Sequence, residues 1–298
     1  MKKIIGIAGI ALFLLNSCTT QGVKKDPEKK DEYKEGEQIR KDGESEDDAA
    51  KQLIPAGKEV NVVKDENNIK ITWFEQGKGK TIEKGKVYKI NYDVRLEDGT
   101  LVDGNQLLKR DWLPFLTGFG MQTRGWDIAF EKLRVGDFVE IFLPAAMARG
   151  EKGIKGLIPP NSNNIIHVRI LEELSPTRIV DGTSVWLLEE NKSVKTKADQ
   201  ESEVIFHYMV GTPSNPKYDI SYRRNTPFSM RFSDNGIVKG LKKALIGAKR
   251  ADKLWVVVPA SEAYGKQGLV NLVQPDEPVF YDILVLEVDK PQLEGKKP

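Results

Sequence analysis

Two short stretches of the chain place apolar residues on one face of a helix. Trp126, Ala129, Phe130 and Leu133 follow the spacing i, i+3, i+4, i+7, and so do Leu241, Ala244, Leu245 and Ala248. This spacing predicts an amphipathic helix that buries one side. Gly125 and Gly240 directly precede the two patterns. The sequence therefore predicts two short helices, each opened by a glycine.

The segments around these helices are rich in β-branched and aromatic residues, which favour strands. They predict strands at residues 70–74, 87–96, 138–143 and 165–171, and again at 185–188, 204–210, 254–258 and 279–288. The sequence Glu-Asp-Gly-Thr at 97–100 is typical of a hairpin turn. Many strands with few helices, and no regular alternation of strand and helix, predict an α+β fold with antiparallel sheets.

The predicted elements recur with the same spacing in two halves of the chain. Tyr92 is followed 11 residues later by Asp103, and Tyr208 is followed 11 residues later by Asp219. From each helix-opening glycine, a proline lies 19 residues on and another glycine 25 residues on. Each unit is long enough to have its own core. We predict domains at 58–174 and 183–289, a linker at 175–182 and a C-terminal tail at 290–298.

The first 18 residues have the pattern of a bacterial lipoprotein signal peptide. Two lysines precede an apolar run at 4–15, which is too short to span a bilayer as a helix. The run ends in Leu-Asn-Ser-Cys, which resembles a lipobox, and Cys18 is the single cysteine of the chain. The alternative is an ordinary secretory signal that contains a chance cysteine. Lipidation of Cys18 would hold the protein on a membrane.

Charge then limits the partners. Between residues 24 and 51, 19 of 28 residues are charged with both signs mixed, which predicts a disordered tether at 19–57. The formal net charge is +2, and two of the positive charges belong to the signal peptide. The balance gives no electrostatic argument for a nucleic-acid partner. His167 and His207 lie in predicted strands without cysteines nearby, so we expect no metal site.

The ordered motifs resemble those of the FKBP-type peptidyl-prolyl isomerases, which bind macrolides such as tacrolimus. In the first copy they are NY at 91–92, LEDGT at 96–100, RGWD at 124–127 and GLIPPN at 156–161. In the second copy they are FHY at 206–208, YD at 218–219, RNTPF at 224–228, GIVKG at 236–240 and AYG at 263–265. The resemblance implies two FKBP-like domains, each a curved antiparallel sheet wrapped around one short helix.

The resemblance also implies an activity: cis–trans isomerisation of proline-containing polypeptides, without a cofactor and open to macrolide inhibition. With the signal peptide, this predicts an isomerase that assists folding of exported proteins at the bacterial cell envelope, facing the periplasm or the exterior. Thr19 after the cysteine favours the outer membrane in a cell with two membranes. The competing hypothesis is a non-catalytic peptide-binding chaperone or docking lipoprotein.

The second copy matches most of the family's aromatic pocket, and we expect the activity there. The candidate catalytic residues are Tyr208, Tyr218, Asp219, Arg224, Phe228, Ile237, Val238, Leu241, Tyr264 and Tyr281, with Leu272 and Val273 on the loop side. Leu241 replaces the usual tryptophan and Tyr281 a phenylalanine. The resemblance implies that the Tyr264 hydroxyl and the Val238 backbone N–H donate hydrogen bonds to carbonyl oxygens of the substrate. The alternative is that the aromatic residues only form the core.

The first copy retains less of the pocket, and we expect it to be degenerate. Tyr92, Asp103, Trp126 and Ile158 match the family. However, Val102, Leu113, Gln122, Thr123, Arg149 and Ile166 stand where the family has aromatic, small aliphatic and pocket-edge residues. Arg149 is charged and strongly hydrated, whereas a tyrosine is expected at that position. This copy is predicted to have weak activity or none.

Overall fold

Each half of the chain forms one seven-stranded sheet. The computed structural model describes Leu53 and residues 57–290. The predicted signal peptide with Cys18, nearly all of the predicted tether and residues 291–298 lie outside this part. In the part of the chain that is described, no helix is long and apolar enough to cross a membrane.

The first sheet has the strand order β1-β2-β6-β7-β3-β4, and β5 pairs with β3. The strands are β1 (Asn61–Lys64), β2 (Lys70–Glu75), β3 (Val87–Arg95), β4 (Leu101–Gly104), β5 (Leu113–Leu116), β6 (Phe138–Leu143) and β7 (Asn164–Glu173). The helices are α1 (Asn105–Leu108) and α2 (Arg124–Phe130), with 3-10 turns at Ala145–Met147 and Gly150–Lys152. The one-turn helix α1 is an addition to the predicted elements.

The second sheet has the order β11-β10-β14-β13-β9-β8, and β12 pairs with β10. Its strands are β8 (Arg178–Val180), β9 (Thr183–Glu189), β10 (Glu203–Gly211), β11 (Asp219–Ile220), β12 (Phe228–Arg231), β13 (Lys253–Val258) and β14 (Val279–Asp289). The helix is α3 (Lys239–Leu245), with 3-10 turns at Ser221–Arg224, Ala260–Glu262 and Gly265–Gln267. Read from β8 to β11, this order matches that of the first sheet from β1 to β4, and β12 pairs with β10 as β5 pairs with β3. The predicted internal repeat therefore extends to the topology.

The two predicted helices are present and bury the predicted face. Helix α2 buries Trp126, Ala129 and Phe130, and α3 buries Leu241, Ala244 and Leu245. Both begin one residue before the predicted glycine. Leu133 and Ala248 lie beyond the helix ends but are also buried, at 1% and 4% exposure. The α+β fold of two antiparallel sheets, each with a short helix, is therefore confirmed.

The segment predicted as a linker contains a strand. Within 175–182, β8 pairs antiparallel with β9, with Val180 opposite Thr183. The two residues between them, Asp181 and Gly182, have φ values of 47° and 79°. Two consecutive left-handed residues, here Asp-Gly, give the tight turn that a two-residue hairpin requires. The turn therefore adds an edge strand to the second sheet.

A buried carboxylate marks the start of the strand after each helix. Asp252, 2% exposed, accepts N–H bonds from Asn191 (2.8 Å) and Lys249 (2.9 Å). Asp137, 1% exposed, accepts the corresponding bonds from Gly77 (2.7 Å) and Arg134 (3.0 Å). A buried carboxylate is costly unless hydrogen bonds compensate it, and these bonds do so. They fix where β13 and β6 begin.

A buried histidine joins three strands of the first sheet. His167 on β7 lies 2.9 Å from the Asp93 carboxylate on β3 through Nδ1 and 3.2 Å from Glu140 on β6 through Nε2. Burial alone would lower the His167 pKa, but the bonds to the two carboxylates outweigh it and raise the pKa to about 9. Arg95 lies 3.4 Å from Asp93 and partly offsets the negative charge. At neutral pH the cluster therefore contains an imidazolium between two acids.

We expect the first domain to lose stability at alkaline pH. A folded-state pKa raised from 6.5 to about 9 adds stability that is complete below pH 6.5 and is lost as the pH rises through 9. The loss should be on the order of 3 kcal/mol. Urea unfolding at pH 6 and pH 9.5, followed by NMR signals of β3, measures it.

The matched control for this prediction is His167→Gln. The variant should be less stable than the unaltered chain at pH 6 and should show little further loss at pH 9.5, because glutamine does not titrate. An equal pH dependence in both proteins would contradict the assignment of the loss to His167.

Candidate active site

Tyr264 lies on a turn whose backbone is the same in both copies. Pro259 has φ and ψ of −64° and 154°, and Pro144 has −62° and 152°. Tyr264 has −106° and −2°, and Arg149 has −98° and −3°. The glycines that follow, Gly265 and Gly150, both have φ of 57°, a left-handed conformation that glycine adopts without strain. The two turns therefore differ in the side chain that they carry, not in their backbone.

Strand β10 contributes one alternating face to a cavity in the second domain. Phe206, Tyr208 and Val210 occupy every second position of the strand, so their side chains point to the same side of the sheet. Val210 has a partner on each neighbouring strand: Asp219 on β11 and Tyr281 on β14. Tyr218 before β11, Phe228 on β12, the start of α3 with the segment before it, and the loop after β13 supply the rest of the lining. The cavity has a volume of about 410 Å³.

Nine of the ten candidate residues of the second copy line this cavity. They are Tyr208, Tyr218, Asp219, Phe228, Ile237, Val238, Leu241, Tyr264 and Tyr281. Leu272 lines it as well, whereas Val273 is 4% exposed and belongs to the hydrophobic core. Arg224 is outside the lining and contacts it through Asp219. The catalytic roles of these residues remain predictions.

Four further residues line the cavity but were not among the candidate site residues: Phe206, Val210, Gly236 and Leu269. Phe206 and Val210 could have been found from the period of two around Tyr208, since all three share one face of β10. Leu269 faces the cavity because a backbone bridge between Leu269 and Val273 folds the loop back on itself. No periodic pattern in the sequence indicates that bridge.

The aromatic side chains form one wall of the cavity. The Phe206 and Phe228 ring centroids are 5.7 Å apart at 66°, and those of Tyr208 and Phe228 are 6.2 Å apart at 89°. Edge-to-face pairs at these separations are favourable and hold each ring in place. Phe228 is 36% exposed, so the wall continues to the cavity rim. The wall is therefore rigid, apolar and open to a ligand.

Asp219 is the centre of a polar network at the cavity edge. The Tyr208 hydroxyl donates to Asp219 Oδ2, and the Arg224 guanidinium donates to both carboxylate oxygens. Arg224 also donates to the Tyr208 oxygen at 3.2 Å. Burial tends to raise the pKa of Asp219, but the bonds from Arg224 and Tyr208 outweigh it, so the pKa lies below its usual value. Asp219 is therefore a carboxylate at neutral pH.

Three further phenols, those of Tyr218, Tyr264 and Tyr281, line the same cavity. Burial raises the pKa of all three tyrosines, that of Tyr281 well above its ordinary value. All three therefore remain neutral hydroxyls that can donate a proton to a ligand or to one another.

The floor of the cavity is aliphatic in the second copy and aromatic in the first. Leu241 packs in one core cluster with Met230 and Leu245. In the first copy, Trp126 lies 5.6 Å from both Phe115 and Phe130, measured between ring centroids. The departure at Leu241 is thus accompanied by smaller residues at the neighbouring positions.

The first copy retains part of the polar edge but replaces its surroundings. The Tyr92 hydroxyl donates to Asp103 at 3.1 Å, as Tyr208 does to Asp219. Burial raises the pKa of Asp103 and lowers that of Arg149, and the attraction between the two opposes both shifts. Ile158 is 6% exposed and Trp126 is 4% exposed, so both are core residues. A guanidinium near Asp103 replaces the phenol that the second copy offers.

The second-domain cavity can bind an apolar ring and donate hydrogen bonds to a carbonyl. Its walls are aromatic and aliphatic, its floor is buried, and its hydroxyls are neutral. Such sites favour an uncharged ligand with few, well-placed polar groups. The ionised Asp219 lies at the edge and is paired, so it can orient Tyr208 without charging the interior.

We expect the Arg224→Ala substitution to raise the pKa of the Asp219 carboxyl group. It removes the guanidinium that lowers this pKa, while the burial that raises it remains. NMR titration of the aspartate side-chain carbons measures the change. The neighbouring Arg223→Ala serves as the control and should leave Asp219 unchanged. A constant Asp219 pKa in Arg224→Ala would show that Tyr208 alone stabilises the carboxylate.

Comparison with known proteins places both copies in one family. The model of the FKBP-type peptidyl-prolyl cis-trans isomerase family matches residues 78–171 and 194–286. The human peptidyl-prolyl cis-trans isomerase FKBP10 is 23% identical over 210 residues, 70% of this chain and 35% of the relative. Bovine FKBP9 is 27% identical over 217 residues, 71% of this chain and 36% of the relative. The chain therefore spans about a third of the length of these relatives.

A shorter relative and a solved structure are also similar to parts of the chain. The FK506-binding protein 1 of Eremothecium gossypii is 38% identical over 110 residues, 36% of this chain and 94% of the relative. The structure of the three FKBP domains of wheat FKBP73 is 20% identical with a TM-score of 0.38, covering 76% of this chain and 96% of that one. Because the family model matches both copies and well over half of the chain, this protein belongs to the FKBP-type peptidyl-prolyl cis-trans isomerase family.

Proposed function

We propose that this protein catalyses cis–trans isomerisation of X-Pro bonds in exported polypeptides, and that the second domain carries the activity. The observation that supports this most is the cavity in which nine candidate residues meet, with the neutral Tyr264 hydroxyl among them. Family membership supports the reaction class. The difference between the two copies supports the assignment to one domain.

The reaction needs neither a nucleophile nor a metal. Rotation about a peptide bond is opposed by a barrier of about 18–20 kcal/mol, because the C–N bond has partial double-bond character. An X-Pro bond tolerates both isomers but exchanges them slowly, over tens of seconds. A catalyst must bind the twisted amide better than either planar form. Apolar surroundings help, since they disfavour the charge-separated planar resonance form.

The second-domain cavity provides each part of such a site. Its aromatic wall, from Phe206 to Phe228, would hold the prolyl ring. The Tyr264 hydroxyl and the Val238 N–H would donate to carbonyl oxygens of the peptide, because both residues line the same cavity. Asp219 would keep the Tyr208 ring in place by accepting the hydrogen bond of the Tyr208 hydroxyl. These groups act by position and electrostatics alone.

The first domain is proposed to be degenerate. Arg149 stands on its turn where Tyr264 stands in the second copy, and a guanidinium is always charged. Gln122 and Thr123 add polar groups where the second copy has Ile237 and Val238. Weak peptide binding is compatible with this arrangement, whereas a dry, apolar pocket is not.

The full chain with matched substitutions in the two copies tests this function. Asp219→Ala should lower kcat/KM for a prolyl peptide by about tenfold or more, equivalent to at least about 1.4 kcal/mol, because the edge of the active cavity is disrupted. Asp103→Ala, the matched control in the first copy, should change it less than about twofold. FK506, which the relative from Eremothecium is named for binding, should inhibit the unaltered protein.

Two results would overturn parts of this proposal. Equal losses in Asp103→Ala and Asp219→Ala would contradict the assignment of activity to the second domain. An unaltered protein that binds proline-containing peptides but does not speed their isomerisation would instead favour a peptide-binding chaperone or docking protein.

We further propose that the protein is anchored in the bacterial cell envelope by lipid on Cys18. The support is the order of two lysines, an apolar run and Leu-Asn-Ser-Cys at the start of the chain. Each buried methylene of an acyl chain contributes about 0.8 kcal/mol to membrane binding. The folded domains would then face the periplasm or the exterior. Thr19 favours the outer membrane where two membranes are present.

The anchor is tested by expressing the chain in a bacterial host with labelled palmitate. The unaltered chain should be labelled and should sediment with membranes. Cys18→Ser should lose the label and appear in the soluble fraction, whereas Ser17→Ala, the adjacent control, should retain both properties. A label that persists in Cys18→Ser would contradict lipidation at this residue.

A further inference from the structure

Helix α3 and the turn after β13 are in direct contact in the second domain. The helix begins beside Val238 and the turn carries Tyr264, the two proposed carbonyl donors. A side-chain carbon at Gly240 would lie 2.4 Å from Val258 Cγ1 and 3.3 Å from Glu262 Cβ. The first distance is too short for two carbon atoms that are not bonded, so only glycine lets the helix approach the strand end and the turn this closely. The relative position of the two donors therefore depends on this contact.

An ion pair joins the same two elements one helical turn later. The Lys243 ammonium lies 2.6 Å from Glu262 Oε2 and 2.6 Å from Asp181 Oδ2. Glu262 lies on the turn, two residues before Tyr264, whereas Asp181 lies on the hairpin between β8 and β9. The Glu262 side chain is 19% exposed and that of Asp181 is 62% exposed, so water screens the attraction to Glu262 less. Lys243 therefore attaches the turn to the helix more strongly than it attaches the hairpin.

The carboxyl-terminal end of α3 is held from a second side. The Arg178 guanidinium on β8 donates to the carbonyl oxygens of Lys243 (3.2 Å), Ala244 and Ile246 (2.8 Å). These carbonyls belong to the end of the helix, where they have no partner within the helix, and a cation there also complements the helix dipole. The helix is therefore a fixed support from which Lys243 can hold the turn.

The first copy lacks this ion pair. Counted from the helix glycine and from the turn glycine, the positions of Lys243 and Glu262 are occupied there by Ile128 and Met147. The turn has the same dihedral angles in both copies, so the pair is not needed for the shape of the turn. What the pair adds is a charged attachment of the turn to the helix, in the copy whose turn carries a tyrosine.

We propose that Lys243, through Glu262, is a positioning residue for the isomerase reaction: it holds the turn against α3, so that the Tyr264 hydroxyl keeps its place relative to the Val238 N–H. The inference rests on the proposed function of the second domain and goes beyond it, because neither Lys243 nor Glu262 lines the cavity. A donor that is fixed before the substrate binds stabilises the twisted amide more than one that must be ordered during the reaction.

Amide hydrogen exchange of the full chain tests the attachment without any activity. The amides of Glu262 and Ala263 donate hydrogen bonds within the turn, so their exchange reports how often the turn opens. Lys243→Met should speed their exchange by about two- to fivefold, as expected for the loss of a partly exposed ion pair. The amides of Met147 and Ala148 make the corresponding bonds in the first copy and should be unchanged in the same sample.

Asp181→Asn is the matched control in the second domain. It removes the charge of the other carboxylate that Lys243 contacts, and asparagine tolerates the left-handed conformation of that position, where φ is 47°. This variant should leave the exchange of the turn amides unchanged. Equal acceleration in Asp181→Asn and Lys243→Met, or no acceleration in Lys243→Met, would overturn the inference.

A double-substitution cycle tests the consequence for catalysis. Lys243→Met should lower kcat/KM for a prolyl peptide by about two- to fivefold, and Glu262→Gln should lower it equally. In the Tyr264→Phe background Lys243→Met should have no further effect, because Lys243 acts through the position of the Tyr264 hydroxyl. Losses that multiply in that background would contradict a positioning role and show that Lys243 supports the domain in general.

The two experiments separate this inference from the function on which it rests. If the unaltered protein has no isomerase activity, the proposed function is wrong, and hydrogen exchange still determines whether Lys243 attaches the turn to the helix. If activity is present but exchange of the turn amides does not change in Lys243→Met, the function stands and the positioning role is wrong.

Discussion

The buried carboxylate of Asp252 is the constraint on which the position of the candidate site depends. It accepts two backbone N–H groups where β13 begins, so the start of that strand is fixed. Six residues after Asp252 the strand ends at Val258, Pro259 follows, and Tyr264 lies five residues beyond Pro259. A slip of one residue would move every side chain of β13 to the other face of the sheet. The register that Asp252 sets is thus transmitted directly to the hydroxyl at the cavity.

The elements that the sequence predicted are those with a clear period. Helices α2 and α3 and the long strands of each sheet have repeating apolar positions, and their spacing recurs in both copies. Strands β1, β4, β5, β11 and β12 were not predicted, because segments of two to four residues are too short to show a period. Strand β8 was also missed, although its Asp-Gly turn is a known hairpin signal.

The candidate site could be predicted as a set of residues but not as a set of bonds. Family resemblance selected ten of the residues that line the cavity, Leu272 included, and the period of β10 could have added Phe206 and Val210. Tyr218, Tyr264 and Tyr281 reach the cavity from three separate segments, so which groups they meet there depends on three-dimensional positions. Likewise, the pairing of His167 with Asp93 and Glu140 depends on the alignment of three strands, which no local pattern contains.

The turn that carries Tyr264 in one copy and Arg149 in the other has a consequence for how such domains diversify. Its dihedral angles agree within about 10° in the two copies, although the side chains differ in size, charge and hydration. The residue at this position of the turn can therefore be replaced without a change in the backbone conformation that carries it. Two copies of one scaffold can thus present different side chains at the same point, and such a replacement, together with changes in the surrounding walls, can give each copy its own ligand preference.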